Sequence, residues 1–162
     1  MDRTVRVESV LNADADAVWE RLQRTETVSY VLRPWIRLPV LRSYTDLPRE
    51  GDSLTGWLFL LGLVPLGRYT ITVAKVDPAS RTLRSEERGG VVRRWQHTLH
   101  AEPAGPGRCR YTDTVLIDTG MLTPVVAKFA RWLFRYRHRR WSRLVRRDGP
   151  GAAGRAAKGE SE

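Results

Sequence analysis

The sequence predicts an α+β domain in which a curved antiparallel sheet of about six to seven strands wraps one long C-terminal helix. Three observations predict it. Residues 53–118 carry runs of period-two alternation separated by Pro, Gly and Asp turns. Residues 124–147 repeat apolar side chains at intervals of three and four, the pattern of an amphipathic helix. One strand and two short helices precede the sheet. An antiparallel sheet with one solvated face must cover its other face, and the last helix is the only element long enough. A straight rod cannot fill a curved surface, so a gap between them is expected.

The elements follow in order. Val5 and Val7 alternate with Arg6 and Glu8, a half-buried strand over residues 3–11. Asn12, Asp14 and Asp16 then supply N-cap and first-turn carboxylates, which complement the orphan amides of a helix start. That helix runs to about Arg24 with Val18, Trp19 and Leu22 on one face. Thr25 to Val31 forms a second short helix, ended before Pro34. Pro39 and Pro48 interrupt the next stretch, leaving one short edge strand over about 36–43. Strands follow over 53–61, 66–77, 81–88, 91–102 and 108–118. Asp77-Pro78-Ala79-Ser80, Gly89-Gly90 and Pro103–Gly107 turn the chain between them. Gly120 ends the sheet, and Pro124 suits a helix start. The helix to Arg147 is roughly 36 Å long, with Leu122, Val126, Phe129, Leu133, Tyr136 and Leu144 as its expected buried stripe. Residues 148–162 are rich in Gly, Ala and charge and read as a disordered tail to a single domain over 1–147.

Composition narrows the class. At 162 residues the chain is one domain that needs no disulfide or metal to hold a core. Its single cysteine, Cys109, excludes an internal disulfide, and no paired Cys/His spacing supports zinc. No motif asks for a cofactor. The opening Met1–Val5 shows no signal-peptide core. No apolar run reaches the ~18 residues that span a bilayer. The expectation is a reduced, cytoplasmic, possible peripheral membrane protein.

The net charge of +10 is unevenly spread. Between Thr119 and Arg147 there is no Asp or Glu, but Lys128 and eight arginines. Arg131, Arg135, Arg139, Arg143 and Arg147 recur at i, i+4, a spacing at which like charges repel on an isolated helix. Two readings are open: a solvated face in an arginine-biased genome, or a ridge that meets an anionic surface. Recognition-helix, zinc and RNP-type signatures are absent, so phospholipid ranks above nucleic acid. Trp132 and Trp141 flank the ridge as core residues or interfacial anchors.

The strand-to-helix opening Val10–Trp19, the strand Arg93–Leu99 and the strand Arg110–Val115, in this order and spacing, resemble the SRPBCC superfamily. These are START-like proteins of the helix-grip fold, which include polyketide cyclases and lipid-transport proteins. The likeness spans about residues 3–147. It implies a cavity between sheet and C-terminal helix for a hydrophobic small molecule. Some members cyclise or aromatise polyketides, some carry lipids, and some only bind. The resemblance therefore implies a pocket more firmly than a reaction.

The residues propose specific occupants for that pocket. Trp95, His97 and Leu99 share one strand face, and Tyr111, Asp113 and Val115 share one on the next. A turn centred on Gly105 pairs 97 with 113, 95 with 115 and 99 with 111. His97 and Asp113 then form a carboxylate–imidazole pair. It is either a structural hydrogen bond that pins the register or a pair that orients a ligand or moves a proton. The candidate ligand-binding set is Tyr69, Ile71, Trp95, His97, Tyr111, Asp113, Phe129, Leu133 and Tyr136. The run Trp57–Leu66 has no polar side chain and spans a hairpin tip, either as core or as an exposed portal with Leu60, Leu61 and Leu63 at a membrane surface. Glu86-Glu87 face Arg93-Arg94 across Gly89-Gly90 as surface ion pairs. Cys109 is a small buried residue. Three functions compete. The first is a non-catalytic carrier of a lipid-like or aromatic molecule, loading at an anionic membrane. The second is a polyketide cyclase or aromatase using His97 and Asp113. The third is an interaction module with a basic helix and a collapsed cavity.

Overall fold

The computed structural model describes residues 2–147, so the tail expected over 148–162 lies outside the described residues. Strand β1 (Arg3–Leu11) leads to helices α1 (Ala15–Leu22) and α2 (Thr25–Leu32) and the short strand β2 (Ile36–Arg37). Strands β3 (Ser53–Leu60), β4 (Val64–Asp77), β5 (Thr82–Gly89), β6 (Val92–Pro103) and β7 (Cys109–Asp118) follow, then helix α3 (Thr123–Arg147). The strands form one antiparallel sheet in the order β1-β7-β6-β5-β4-β3-β2. The chain thus meanders from β2 to β7 and returns the last strand to the first. The curled sheet around one long helix is the helix-grip arrangement.

Four local features differ from the sequence reading. The edge strand expected over 36–43 pairs only at Ile36 and Arg37. Pro39 has no N–H for a ladder, and Pro39–Ser43 coils into a 3₁₀ turn instead. In the β6–β7 hairpin, Ala104 N–H donates to Arg108 O, which centres the turn one residue later than expected. His97 therefore faces Val115, Leu99 faces Asp113 and Ala101 faces Tyr111. A slip of two residues preserves which side chains share a face. An irregularity between Glu87 and Gly89 likewise sets Glu86 opposite Gln96 and Glu87 opposite Trp95, so the ion pairs expected with Arg93 and Arg94 do not form. Gly89 is required there: at φ +145° a Cβ would lie 2.1 Å from Arg68 O.

The fourth difference is the face of α3. Its buried side is Ala127, Ala130, Leu133, Phe134, Arg137, His138, Trp141 and Val145, while Leu122 and Phe129 of the expected stripe are exposed. The helix packs chiefly on β1, at one end of the sheet. Phe134, Ala130 and Ala127 meet Val5, Val7, Val115 and Ile117 in one apolar cluster. Trp141 and Val145 join Leu11, Val18, Trp19, Val31, Cys109 and Tyr111 in another. Because α3 sits over β1 and β7, the concave face of β3–β6 stays uncovered beneath it. That displacement creates the hollow.

Candidate functional site

The hollow has a volume of about 340 Å³, at the lower end of the ~300–1,000 Å³ range typical of small-molecule sites. Alternation along three neighbouring strands builds its concave wall: Tyr69, Ile71 and Val73 from β4, Leu83, Ser85 and Glu87 from β5, and Trp95, His97 and Leu99 from β6. Val126, Phe129, Leu133, Phe134 and Arg137 of α3 form the opposite wall. Leu66, Val91 and Phe129 line it and are also exposed, so the hollow opens between the β3–β4 hairpin, the β5–β6 turn and the start of α3.

Of the nine residues expected around a ligand, Tyr69, Ile71, Trp95, His97, Phe129 and Leu133 line this space. Tyr111, Asp113 and Tyr136 do not. Tyr111 and Asp113 lie on β7, which α3 covers directly, and both are fully buried. Tyr136 turns outward, stacks near Trp132 and donates its hydroxyl to Arg33 O at 2.7 Å.

Asp113 is the centre of a buried polar layer between the two apolar clusters. It accepts from His97 Nε2 at 2.8 Å on Oδ1 and from His138 Nε2 at 3.1 Å on Oδ2. Those nitrogens are assigned as donors because a carboxylate only accepts. Ser9 Oγ then donates to His138 Nδ1 at 2.7 Å, and Arg137 stands 3.9 Å from Oδ1. Burial alone would push the Asp113 carboxyl up. The Arg137 guanidinium and the two imidazoles outweigh it and hold the group well below the usual carboxylate range.

His97 stacks on Phe134 with ring centroids 5.0 Å apart. Its Nδ1 faces Glu87 Oε1 at 3.8 Å. Burial pulls its pKa down, but the Asp113 and Glu87 carboxylates reverse this and raise it above the ordinary value. Glu87 itself accepts from Tyr69 Oη at 3.0 Å and Ser85 Oγ at 2.8 Å. Burial, reinforced by Glu87, raises the Tyr69 phenol well above its ordinary pKa. The inner wall therefore sets Glu87 against Arg137 and His97, with Asp113 buried behind them. Cys109 is buried, and burial pushes its thiol up to about 11, so it supplies no thiolate. Among the described residues no group of His, Cys, Asp and Glu has the arrangement of a metal site.

Sequence reasoning missed Glu87, Ser85, Arg137 and His138. The alternation Leu83, Ser85, Glu87 does place Glu87 on the inner face, but it was obscured by reading Glu86-Glu87 as a surface pair. His138 is four residues from Phe134 and three from Trp141, on the buried face rather than the basic one.

The mouth is apolar. Leu63 is 82% exposed at the tip of the β3–β4 hairpin, and Met121 is 98% exposed at the start of α3. Leu61, Val64, Val91, Leu122, Val125 and Trp132 are exposed as well, while Leu60 is half-buried. The hairpin run Trp57–Leu66 is thus not a core strand pair at its tip. Trp35, whose carbonyl accepts from Leu61 N–H at 2.7 Å, packs edge-on against Trp132 and ties the hairpin to α3. Farther along the same outward face of α3, Arg131, Arg135, Arg139 and Arg143 are exposed. Arg147 adds no described side chain. Trp141, in contrast to Trp132, is buried. No helix among the described residues is long and apolar enough to cross a membrane.

A family model described as Domain of unknown function (DUF8410) matches residues 9–145. None of the curated proteins matches the sequence. Several solved structures share the fold. A START superfamily protein from Mycobacterium smegmatis is 15% identical with a TM-score of 0.67, covering 89% of this chain and 97% of that one. The Zhui aromatase/cyclase from Streptomyces sp. R1128 is 16% identical with a TM-score of 0.64, covering 93% and 98%. Norcoclaurine synthase from Thalictrum flavum, in complex with dopamine and hydroxybenzaldehyde, is 16% identical with a TM-score of 0.62, covering 90% and 87%. At these identities the likeness is one of fold.

Proposed function

The chain belongs to the DUF8410 family, a domain of unknown function, and on its own site we propose that it binds a hydrophobic small molecule without transforming it. The observation that carries this reading is the open hollow of about 340 Å³ with a predominantly apolar lining. A ligand there removes apolar surface from water at both partners, at about 25 cal/mol per Å². Its volume suits a molecule of roughly two or three fused rings, or a lipid-like chain of similar bulk. The fold neighbours include an aromatase/cyclase and a synthase in complex with two small aromatic molecules, which supports an aromatic or polyketide-like guest. The third reading, an interaction module with a collapsed cavity, requires the hollow to be packed solid. Native mass spectrometry and solvent extraction of the purified protein test the proposal. A co-purifying apolar small molecule is the expected result. An empty protein that also fails to take up environment-sensitive dyes would overturn it.

Loading takes place at an anionic membrane surface. Leu61 and Leu63 are exposed on the hairpin and Met121 just before α3, the elements that border the opening, and the arginine ridge continues along the outward face of α3. Apolar side chains seated among headgroups beside a cationic stripe describe an interfacial binder. Two copies meeting through α3 would instead oppose ridges of like charge. Binding to anionic vesicles should be strong at low salt and fade as salt rises. Equal binding to neutral vesicles, or none to either, would remove this part.

A second reading, an enzyme of the polyketide cyclase kind, is favoured by one observation: Glu87 gives His97 a second acid–base neighbour on the cavity wall. Turnover of a poly-β-keto substrate, with a pH profile altered in His97→Gln, would support it. Inert binding of such a substrate would exclude it.

A further inference from the structure

We infer that the inner wall of the cavity is a subsite for a single hydroxyl or enol group on an otherwise apolar, uncharged ligand, held between Glu87 and His97. This rests on the cavity-binding reading and specifies its ligand. His97 Nδ1 and Glu87 Oε1 stand 3.8 Å apart, both on the cavity lining. That is beyond hydrogen-bond range, yet one oxygen atom can reach both groups. The other ring nitrogen of His97 is committed to Asp113, and the raised pKa of the ring favours its doubly protonated form, in which Nδ1–H is the donor that remains. Glu87 accepts from Tyr69 and Ser85, which leaves further lone-pair sites on a carboxylate that has about four. A hydroxyl accepts from Nδ1–H with its oxygen and donates its proton to Glu87, filling both needs with one atom.

Charge selects against the ions of the same size. The wall sets the Glu87 carboxylate beside His97 and the Arg137 guanidinium, with the Asp113 carboxylate buried behind them, so charges of both signs already meet there. A ligand carboxylate would be set against Glu87, and a ligand ammonium against His97 and Arg137. Either would bring a charge against a like charge at the largely buried Glu87–His97 pair, which is costly. A pure hydrocarbon avoids that cost but covers a donor and a carboxylate without pairing them. Phenols, enols and alcohols are the class that meets every constraint.

The test compares four probes with one ring body: 2-naphthol, 2-methylnaphthalene, 2-naphthoate and 2-naphthylmethylammonium, titrated calorimetrically into the full chain at neutral pH. 2-Naphthol should bind about tenfold or more tightly than 2-methylnaphthalene, and both ions more weakly than 2-naphthol. Glu87→Leu should erase the preference, bringing the Kd values of 2-naphthol and 2-methylnaphthalene within about threefold of each other, with thermal unfolding of the variant reporting that it is folded. Equal affinity for the hydroxyl and methyl probes, or tightest binding of either ion, overturns the inference and leaves the cavity reading standing. Binding of none of the four overturns both. If Glu87→Leu fails to fold, the comparison of the four probes on the unmodified protein still decides.

Discussion

His97 donates to Asp113 at 2.8 Å although neither residue faces the other across the ladder. His97 opposes Val115 and Asp113 opposes Leu99, so the bond runs diagonally, between residues displaced by two positions on one face. The diagonal places the imidazole under Phe134 and its second nitrogen toward Glu87. A directly opposed pair would have tied the same two residues together without that orientation. The bond thus links a fully buried anion to the wall of the hollow.

The first prediction concerns that anion. Asp113 satisfies His97, His138 and the neighbouring Arg137 at once. Asp113→Ala would leave both imidazoles without their acceptor and Arg137 without its buried counter-charge, and should cost about 3–5 kcal/mol. Urea unfolding of the variant measures this. A loss below about 1 kcal/mol would mean that water reaches the layer.

The second prediction is a stability plateau with two flanks. Asp113 has a folded pKa well below its ordinary value. Its contribution is present above the unfolded value of about 3.9 and is lost as pH falls through the folded one. His97 has a raised folded pKa. Its contribution is fully present below the unfolded value of about 6.5 and is lost as pH rises through the folded one. The groups facing His97 are Glu87 from β5, Asp113 from β7, and Arg137 and Phe134 from α3. Unfolding free energy measured across pH should fall at both ends, and His97→Gln should flatten the alkaline flank while sparing the acid one. An unchanged alkaline flank in that variant would assign it to another group.

How much of this was legible beforehand depends on the length scale. The succession of strands along the chain and the terminal helix follow from patterns that repeat over many residues, so single errors cancel. The face shared by Trp95, His97 and Leu99 survived a wrong register because a slip of two residues keeps the side. The exact partner did not survive, since it depends on where within Pro103–Gly107 the chain reverses. The role of Glu87 was hidden by a charge pattern that looked superficial and by an irregularity at Gly89 that no periodicity announces. Arg137 was counted with a basic run, and only the rotation of α3 on β1 shows that it faces inward.

The third prediction sets stability against docking at one residue. Leu61 occupies the left-handed region at φ +54°, beside Gly62 at φ +73°, in the three-residue connection (61–63) of the β3–β4 hairpin. Asn or Gly is the comfortable residue there, and a leucine carries a strain of about 1 kcal/mol. An exposed apolar side chain retained at such a position argues for a use outside the fold. Leu61→Asn should raise stability by about 0.5–1 kcal/mol and weaken binding to anionic vesicles. Greater stability with unchanged vesicle binding would detach the hairpin tip from the membrane.

The last prediction separates an empty hollow from a packed core by adding bulk to each. Ala130 is fully buried in the cluster with Val5, Val115, Ile117 and Phe134. Ala130→Leu must displace those neighbours, and overpacking of this kind costs about 1–3 kcal/mol. Ile71 points into the cavity from β4, where added atoms meet space instead of side chains. Ile71→Trp should therefore cost less than about 1 kcal/mol, because dispersion contacts with the opposite wall offset the adjustment. The same substitution should abolish uptake of an apolar probe by filling the space it needs. Thermal or urea unfolding compares the two variants, and a fluorescent-probe titration reads the uptake. If Ile71→Trp destabilises as strongly as Ala130→Leu, the hollow is closed in solution, and the binding reading falls with it.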